Sequence, residues 1–374
     1  MTLRKHRQIQ LIVPEMATHG GIQSYMLRIL EMLNELPGTK VECVALNDTD
    51  AALSKRAPDA TGSLRGYNRN KLHFILGLLL RKRSDAIAIV GHIHFAPVAL
   101  AAKLLGGIQS YIVILHGIEA WKRHNWLVRW AMRQAISNVA TTHYTAELSA
   151  CLNGIPLSQH HVIPLCAERD IPTPSPGFKL NGDFPLLMVA RLDSSEKYKG
   201  MEMVIDAVAI LKQAGVPAHF NVVGDGDDRF RLERYALEKG CRQLVTFWGR
   251  LSDADLQAAY KTATMFVMPS KKEGFGIVFL EAMRHGVPCI GGNHGGTPEV
   301  IHDGETGVLV NYGDVMLFVD QLSMLWSNAD TYTKMSKACM KVYDDQFTYN
   351  VFSDRWSKLI QNELTNAHLN GSHV

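Results

Sequence analysis

The chain has 374 residues, 47% of them hydrophobic and 20% charged, enough for two cores without metal or disulfide staples. Its formal net charge of +3 is too small for a general nucleic-acid binder, and its longest apolar run, Phe74 to Leu80, is far short of the roughly 20 residues of a spanning helix. The charge is uneven, with 19 Lys and Arg against 12 Asp and Glu in residues 1–175, and 20 against 24 in the remainder. That asymmetry predicts two units with different partners. The basic one suits an anionic membrane surface or an acidic acceptor, or simply carries scattered solvated cations.

In chain order, Ile9 to Val13 reads as a strand, Ile22 to Leu36 as an amphipathic helix behind Gly20 and Gly21, and Val41 to Leu46 as a second strand. Lys71 to Arg83 reads as a helix ending in Arg81, Lys82 and Arg83, either a core helix with a charged end or one lying on a membrane. Strands at Ala86–Val90, Tyr111–Leu115, Val139–Thr142 and His161–Leu165 alternate with helices at Ala96–Leu105 and Trp126–Ile136. A proline-rich segment beginning at Ile171 then reads as a linker, and the alternation restarts. Strands are predicted at Pro185–Val189, Ala218–Val223, Val245–Trp248, Thr264–Met268, Pro288–Gly291 and Val308–Val310. Helices are predicted at Met201–Ala214, Arg229–Lys239, Ala254–Thr262 and Gly276–His285. Met316 to Asn366 reads as helices, followed by a loose polar tail from Ala367.

The fold class expected is therefore α/β, two doubly wound Rossmann-like domains facing each other across a cleft, with ligands at the carboxyl ends of the strands. The boundaries read 1–170, linker 171–184, 185–345, and a C-terminal helix with its tail over 346–374 that packs back on the first domain. The cysteines Cys43, Cys151, Cys166, Cys241, Cys289 and Cys339 form no CxxC pair, and the basic start at Arg4, Lys5 and Arg7 carries no secretory pattern. Both point to a reducing, cytoplasmic setting, with membrane association left open.

The richest segment runs from Pro269 to Ala282, after a strand and into a helix. Gly274 and Gly276 allow backbone N–H groups to approach a ligand, and a helix start favours negative charge. Glu273 precedes the helix and Glu281 lies eight positions on, a little over two turns, so both carboxylates can face one cleft and accept hydroxyls.

This Glu-x7-Glu frame, EGFGIVFLEAM, resembles the retaining glycosyltransferases of family 4, which have the GT-B fold. The resemblance extends to Gly20-Gly21, Leu115-His116-Gly117, the run VARLDSSEKYKG, Val223-Gly224-Asp225-Gly226, Phe247-Trp248-Gly249 and Gly295-Gly296-Thr297-Pro298-Glu299, in order. It implies that Arg191 and Lys199 neutralise the donor diphosphate, with Gly20 and Gly21 presenting backbone donors to the same phosphates. It implies ribose binding by Glu281, positioning of the transferred sugar by Glu273, and N–H contacts from Gly274, Phe275 and Gly276. His116 would meet the sugar or acceptor, or be a buried structural histidine, and Arg250 would lie near the base. The activity implied is metal-independent transfer of a hexosyl unit, with retention, from a nucleotide diphosphate sugar to a glycan or lipid-linked acceptor. No cofactor is expected. The context implied is surface polysaccharide or lipopolysaccharide synthesis, with peripheral contact at the inner membrane face. A GT-B nucleotide-sugar epimerase and a non-catalytic nucleotide-sugar-binding subunit are the rival readings.

Three other patterns carry less. His92 and His94 have metal-ligand spacing on a strand but no third ligand, and can instead line the cleft. Asp48 and Asp50 read as solvated turn residues, and Asp225 and Asp227 as part of a glycine turn, not as a cation site. Gly224 and Gly226 lack the third glycine of a dinucleotide fingerprint, since position 229 is Arg.

Overall fold

The computed structural model describes residues 7–18, 20–80, 85–167, 169 and 171–371, with the backbone alone for Arg7 and for 364–371. The chain forms two compact units, one from residues up to 168 together with 349 onward, the other from 169–348.

The first unit holds a parallel sheet of β1 (Arg7–Val13), β2 (Thr39–Ala45), β3 (Ser63–Gly66), β4 (Ala86–Val90), β5 (Ser110–Leu115), β6 (Ser137–Ala140) and β7 (His160–Val162). Their spatial order is β3-β2-β1-β4-β5-β6-β7. The strands β4 and β5 are buried at every position, as expected of a sheet covered on both faces. The connecting helices are α1 (Gly21–Glu35), α2 (Asp50–Arg56), α3 (Lys71–Leu79), α4 (Ala96–Leu104), α5 (Trp126–Gln134) and α6 (His143–Asn153). Side-chain caps start several of them: Thr49, Asn70, Asn125 and Thr142 each accept from the backbone N–H three residues on.

In the second unit the strands are β8 (Phe184–Val189), β9 (Ala218–Val223), β10 (Val245–Gly249), β11 (Met265–Met268), β12 (Cys289–Gly292) and β13 (Gly307–Val310). All are parallel in the order β10-β9-β8-β11-β12-β13. Its helices are α7 (Met201–Gln213), α8 (Arg229–Glu238), α9 (Asp253–Thr262), α10 (Ile277–Met283), α11 (Val315–Ser327) and α12 (Ala329–Gln346). The last helix, α13 (Tyr349–Gly371), belongs to the first unit. It buries Tyr349, Phe352, Trp356, Leu359 and Ile360 along one stripe, and Tyr349 Oη donates to Glu35 at 3.0 Å.

Several expectations change. Residues 171–184 belong to the second unit: Ser175 N donates to Ala254 O at 3.1 Å, and the Phe178 ring lies 5.1 Å from that of Trp248. The helix α13 continues to Gly371 where a loose tail was expected, since no proline or glycine interrupts it earlier. The elements α2, β3 and α6 were not anticipated. Arg81, Lys82 and Arg83 lie outside the described residues, and Leu72, Leu76 and Leu80 of that segment are exposed. Five cysteines are buried thiols and Cys151 is exposed. Among the described residues no helix is long and apolar enough to cross a membrane.

Candidate active site

In the second sheet the chain leaves β8 toward β9 on one side and later returns to β11 on the other. Such a switch point opens a crevice at the carboxyl ends of the two strands. The loop after β8 carries Arg191 and Lys199, and the loop after β11 carries Glu273 to Gly276.

Glycines of the β9 turn hold the first loop. Gly224 has φ +129°, and a Cβ there would stand 1.9 Å from Ala190 O; one on Gly226 would stand 2.0 Å from Leu192 O. This closeness allows Ala190 N to donate to Val223 O at 3.0 Å and Leu192 N to Asp225 O at 3.1 Å, clamping the backbone on either side of Arg191. Asp227 accepts from Ser194 N and Oγ at 2.9 and 2.6 Å, and the Ser194 hydroxyl holds its carboxyl below the usual range. The Asp-x-Asp spacing at Asp225 and Asp227 therefore serves loop structure.

Arg191 Nη2 lies 3.0 Å from Glu196 Oε1, and Lys199 Nζ lies 2.8 Å from Glu196 Oε2. One carboxylate thus bridges the two cations. The Arg191 side chain is 67% exposed and Lys199 18%, so the guanidinium faces solvent while the ammonium is largely buried. Glu196 was not singled out from sequence, although a carboxylate set between the two cations of a basic motif was a readable signal.

The second loop is tied to the first. Lys271 N donates to Tyr198 O at 2.8 Å, and Gly200, at φ +83°, brings its Cα so close to Pro269 that a Cβ would lie 2.7 Å from the carbonyl oxygen. Gly296 N donates to Glu273 O at 2.8 Å, anchoring the loop to the turn before Thr297. Burial raises the Glu273 pKa; Lys199 and the N–H groups of Gly274 and Phe275 oppose that rise, and Glu196 adds to it. Gly276 caps α10 at φ +87°.

Of the remaining second-unit residues, Glu281 lies on α10 and accepts from Tyr260 Oη at 2.7 Å. Because Glu273 precedes the helix, helical spacing says nothing about a shared face. Arg250 is exposed just after β10, which lies two strands from β8.

The first unit has its own switch point, between β1 and β4. The helix α1 begins there without a side-chain cap and with no acidic residue in its first turn. Gly20 is extended at φ 166°, and a Cβ there would stand 2.4 Å from Gln23 Oε1, whereas one on Gly21 would meet nothing within 4 Å. A cavity of about 300 Å³ lies beside them, lined by Pro14, Glu15, Gln23, Asn47, His92 and His94 among others.

His92 caps a 3-10 turn (Ile93–Phe95) and is not on a strand, so the alternate-face pairing with His94 does not apply. Its Nδ1 accepts from His94 N at 3.3 Å, which leaves the proton of the neutral ring on Nε2; burial lowers its pKa to about 4. His116 is buried, and its Nε2 donates to Gly91 O at 2.8 Å. Burial lowers its pKa, so the ring is neutral with Nδ1 as its acceptor. Asp48 is also buried, not solvated: its Oδ2 accepts from Met16 N at 2.6 Å and Ala17 N at 3.3 Å, holding the loop after β1. Among the described residues no group of three or more His, Cys, Asp or Glu is placed to hold a metal.

Comparison with known proteins agrees with this architecture. The model of Glycosyltransferase Family 4 matches residues 19–170, and that of Glycosyl transferases group 1 matches residues 176–342. A GDP-mannose-dependent alpha-(1-6)-phosphatidylinositol monomannoside mannosyltransferase of Mycolicibacterium smegmatis is 30% identical over 240 residues, covering 59% of this chain and 62% of that protein. The chain thus spans about three fifths of that relative's length. An N-acetyl-alpha-D-glucosaminyl L-malate synthase of Bacillus anthracis is 28% identical over 272 residues, 68% of this chain and 70% of that one. Among solved structures, Anabaena Alr3699/HepE in complex with UDP shares the fold with a TM-score of 0.79, covering 95% of this chain and 100% of that chain at 14% identity. With both units matched in order and both sheets parallel, the chain belongs to the family 4, group 1 glycosyltransferases and has their GT-B fold.

Proposed function

We propose that the chain transfers a hexosyl unit from a UDP- or GDP-sugar to a glycan or lipid-linked acceptor, with retention and without a metal, in the synthesis of surface polysaccharide. The observation that carries this reading is the pairing of Arg191 and Lys199 with one shared counter-anion, Glu196, at the switch point of the second sheet. A nucleoside diphosphate leaving group gains negative charge as the glycosidic bond breaks. Fixed cations at that point stabilise the transition state more than the ground state. Arg191 and Lys199 would then do what a divalent ion does elsewhere. The relatives support the donor class: one is named for GDP-mannose and a fold neighbour was crystallised with UDP.

Glu273, partly buried just before the start of α10, is assigned to positioning the sugar, not to forming a covalent intermediate. Glu281 is assigned to the ribose, oriented by Tyr260. The neutral His116 is assigned a contact with sugar or acceptor through Nδ1, and Gly20 and Gly21 an N-terminal anion contact on α1.

The test is incubation of the purified chain with UDP-, GDP-, ADP- and CDP-sugars, with and without glycan acceptors, following nucleotide release and the anomeric configuration of the product by NMR. Acceptor-dependent release with a retained anomer is expected. Conversion of the sugar nucleotide without acceptor would favour the epimerase reading, and tight binding without turnover would favour a non-catalytic subunit.

A further inference from the structure

The cavity of about 300 Å³ in the first unit is built on strand ends fastened to one another. Beyond β1 and β2, Leu46 N donates to Val13 O at 3.1 Å and Asn47 N to Pro14 O at 2.8 Å. The buried Asp48 carboxylate holds Met16 N and Ala17 N just after them. Beyond β4, Gly91 N donates to Ile12 O at 2.7 Å, which fixes the start of the segment that carries His92, His94 and Phe95. A pocket tied to strand ends in this way is formed before a ligand arrives. Its volume is at the small end for ligand pockets and suits one ring, not an extended chain.

The polar groups of its lining suit hydroxyls. Glu15 Oε1 accepts from Gln23 Nε2 at 2.7 Å and from Thr18 Oγ1 at 3.0 Å, so the carboxylate is fixed through one oxygen. Its second oxygen and the Asn47 side-chain amide make no hydrogen bond among the described residues. His92 Nδ1 is taken by His94 N, so the neutral ring offers its Nε2 proton. Acceptors and donors beside the apolar Phe95 suit a ring with hydroxyls around its edge and C–H groups on its faces. Charge decides what else can enter. Residues 1–175 carry more cations than anions, yet among the described residues no Lys or Arg lines this cavity, while Glu15 brings a negative charge into it. An anion set beside that carboxylate, with no cation to offset it, is repelled.

We propose that this cavity holds an uncharged sugar ring of the acceptor, and that Glu15 selects it by accepting from its hydroxyls and rejecting rings that carry a carboxylate or phosphate. The assignment rests on the reading of the chain as a glycosyltransferase and narrows its acceptor to a neutral glycan end. It reverses the expectation of an acidic acceptor drawn from the cation excess of residues 1–175, because the described lining holds none of those cations. Sugar binding here involves the first unit alone, so it can fail while donor turnover stands, and the reverse.

The test is titration of the full chain with the methyl glycosides of glucose, galactose and mannose and with the matching uronides, in which a carboxylate replaces the terminal alcohol. Binding is followed by ligand-observed NMR at mildly alkaline pH, where histidine is ordinarily uncharged. At least one glycoside should bind, and its uronide should bind roughly tenfold more weakly or worse. Glu15→Gln, which keeps the shape, should weaken the glycoside roughly fivefold and strengthen the uronide, closing the gap. Asn47→Asp, which adds a second carboxylate, should widen it. Thermal unfolding shows whether each variant is folded, and Asn47→Asp carries the test if Glu15→Gln is not. A uronide bound as tightly as its parent, no binding of any glycoside, or a ratio left unmoved by the folded variant overturns the proposal. Sugar binding with the expected preference but no donor turnover supports the cavity assignment and refutes the transferase reading.

Discussion

Replacing Lys199 by Ala removes a cation that the structure holds firmly, 18% exposed and 2.8 Å from Glu196. In the free chain its charge is compensated by that carboxylate, so binding a diphosphate exchanges one anion for another, and the gain is smaller than a bare Coulomb term suggests. A charge-assisted hydrogen bond contributes about 1.5–3 kcal/mol net, so Lys199→Ala should weaken nucleoside diphosphate binding by about 10- to 150-fold. Binding of the nucleoside, which lacks the phosphates, should be unchanged. Calorimetric titration with UDP and GDP, set against uridine and guanosine, measures both. Glu196→Gln is the companion: with the competing anion neutralised, Arg191 and Lys199 should bind the diphosphate more tightly than in the unaltered chain. Equal losses for nucleoside and diphosphate on Lys199→Ala, or weaker diphosphate binding on Glu196→Gln, would refute the reasoning.

Glu281→Ala should raise the donor Michaelis constant with a smaller effect on kcat, since a ribose contact acts in ground and transition states alike; an unchanged constant removes it from the ribose site. Treatment with a chelator should leave transfer activity nearly intact, and complete loss restored by manganese would contradict the metal-independent proposal. Burial, together with Arg284 and Lys261, pushes the His285 pKa down to about 4 from an ordinary value of 6.5. A lowered histidine stabilises the fold fully above its unfolded value, and that stability is lost as pH falls from about 6.5 toward about 4. His285→Asn should therefore flatten the fall in urea-unfolding stability across that window, and parallel slopes for both proteins would contradict it.

Much of the fold is legible because buried parallel strands are short apolar runs bounded by polar turns; Ala218–Val223 stands out in this way. What escapes notice does so for physical reasons. The strand β3 is four residues at a sheet edge with alternate positions exposed, and the buried face of α6 is Thr145, Ala146, Ser149, Ala150 and Asn153, with no large apolar stripe. Asp48 reads as a solvated turn residue because sequence cannot show that its carboxylate is turned inward onto Met16 and Ala17. At the site, the spacing of Arg191 and Lys199 is visible in sequence, but the bridging of both by Glu196 depends on a loop shaped by Gly224 and Gly226 of another strand. The tie between the loops of Lys199 and Glu273, through Lys271 N and Tyr198 O, likewise needs β8 and β11 to be neighbours, which is a matter of topology. The exposed Trp126 and Trp130 look like core residues in a list of letters, since only burial distinguishes the two faces of a short amphipathic helix.

The most direct measurement is a crystal structure of the chain soaked with UDP or GDP. The pyrophosphate is predicted at the carboxyl ends of β8 and β11, within hydrogen-bonding distance of the Arg191 guanidinium and Lys199 Nζ, with Glu196 drawn away from at least one of them. A nucleotide lodged elsewhere, with both cations still closed on Glu196, would contradict it.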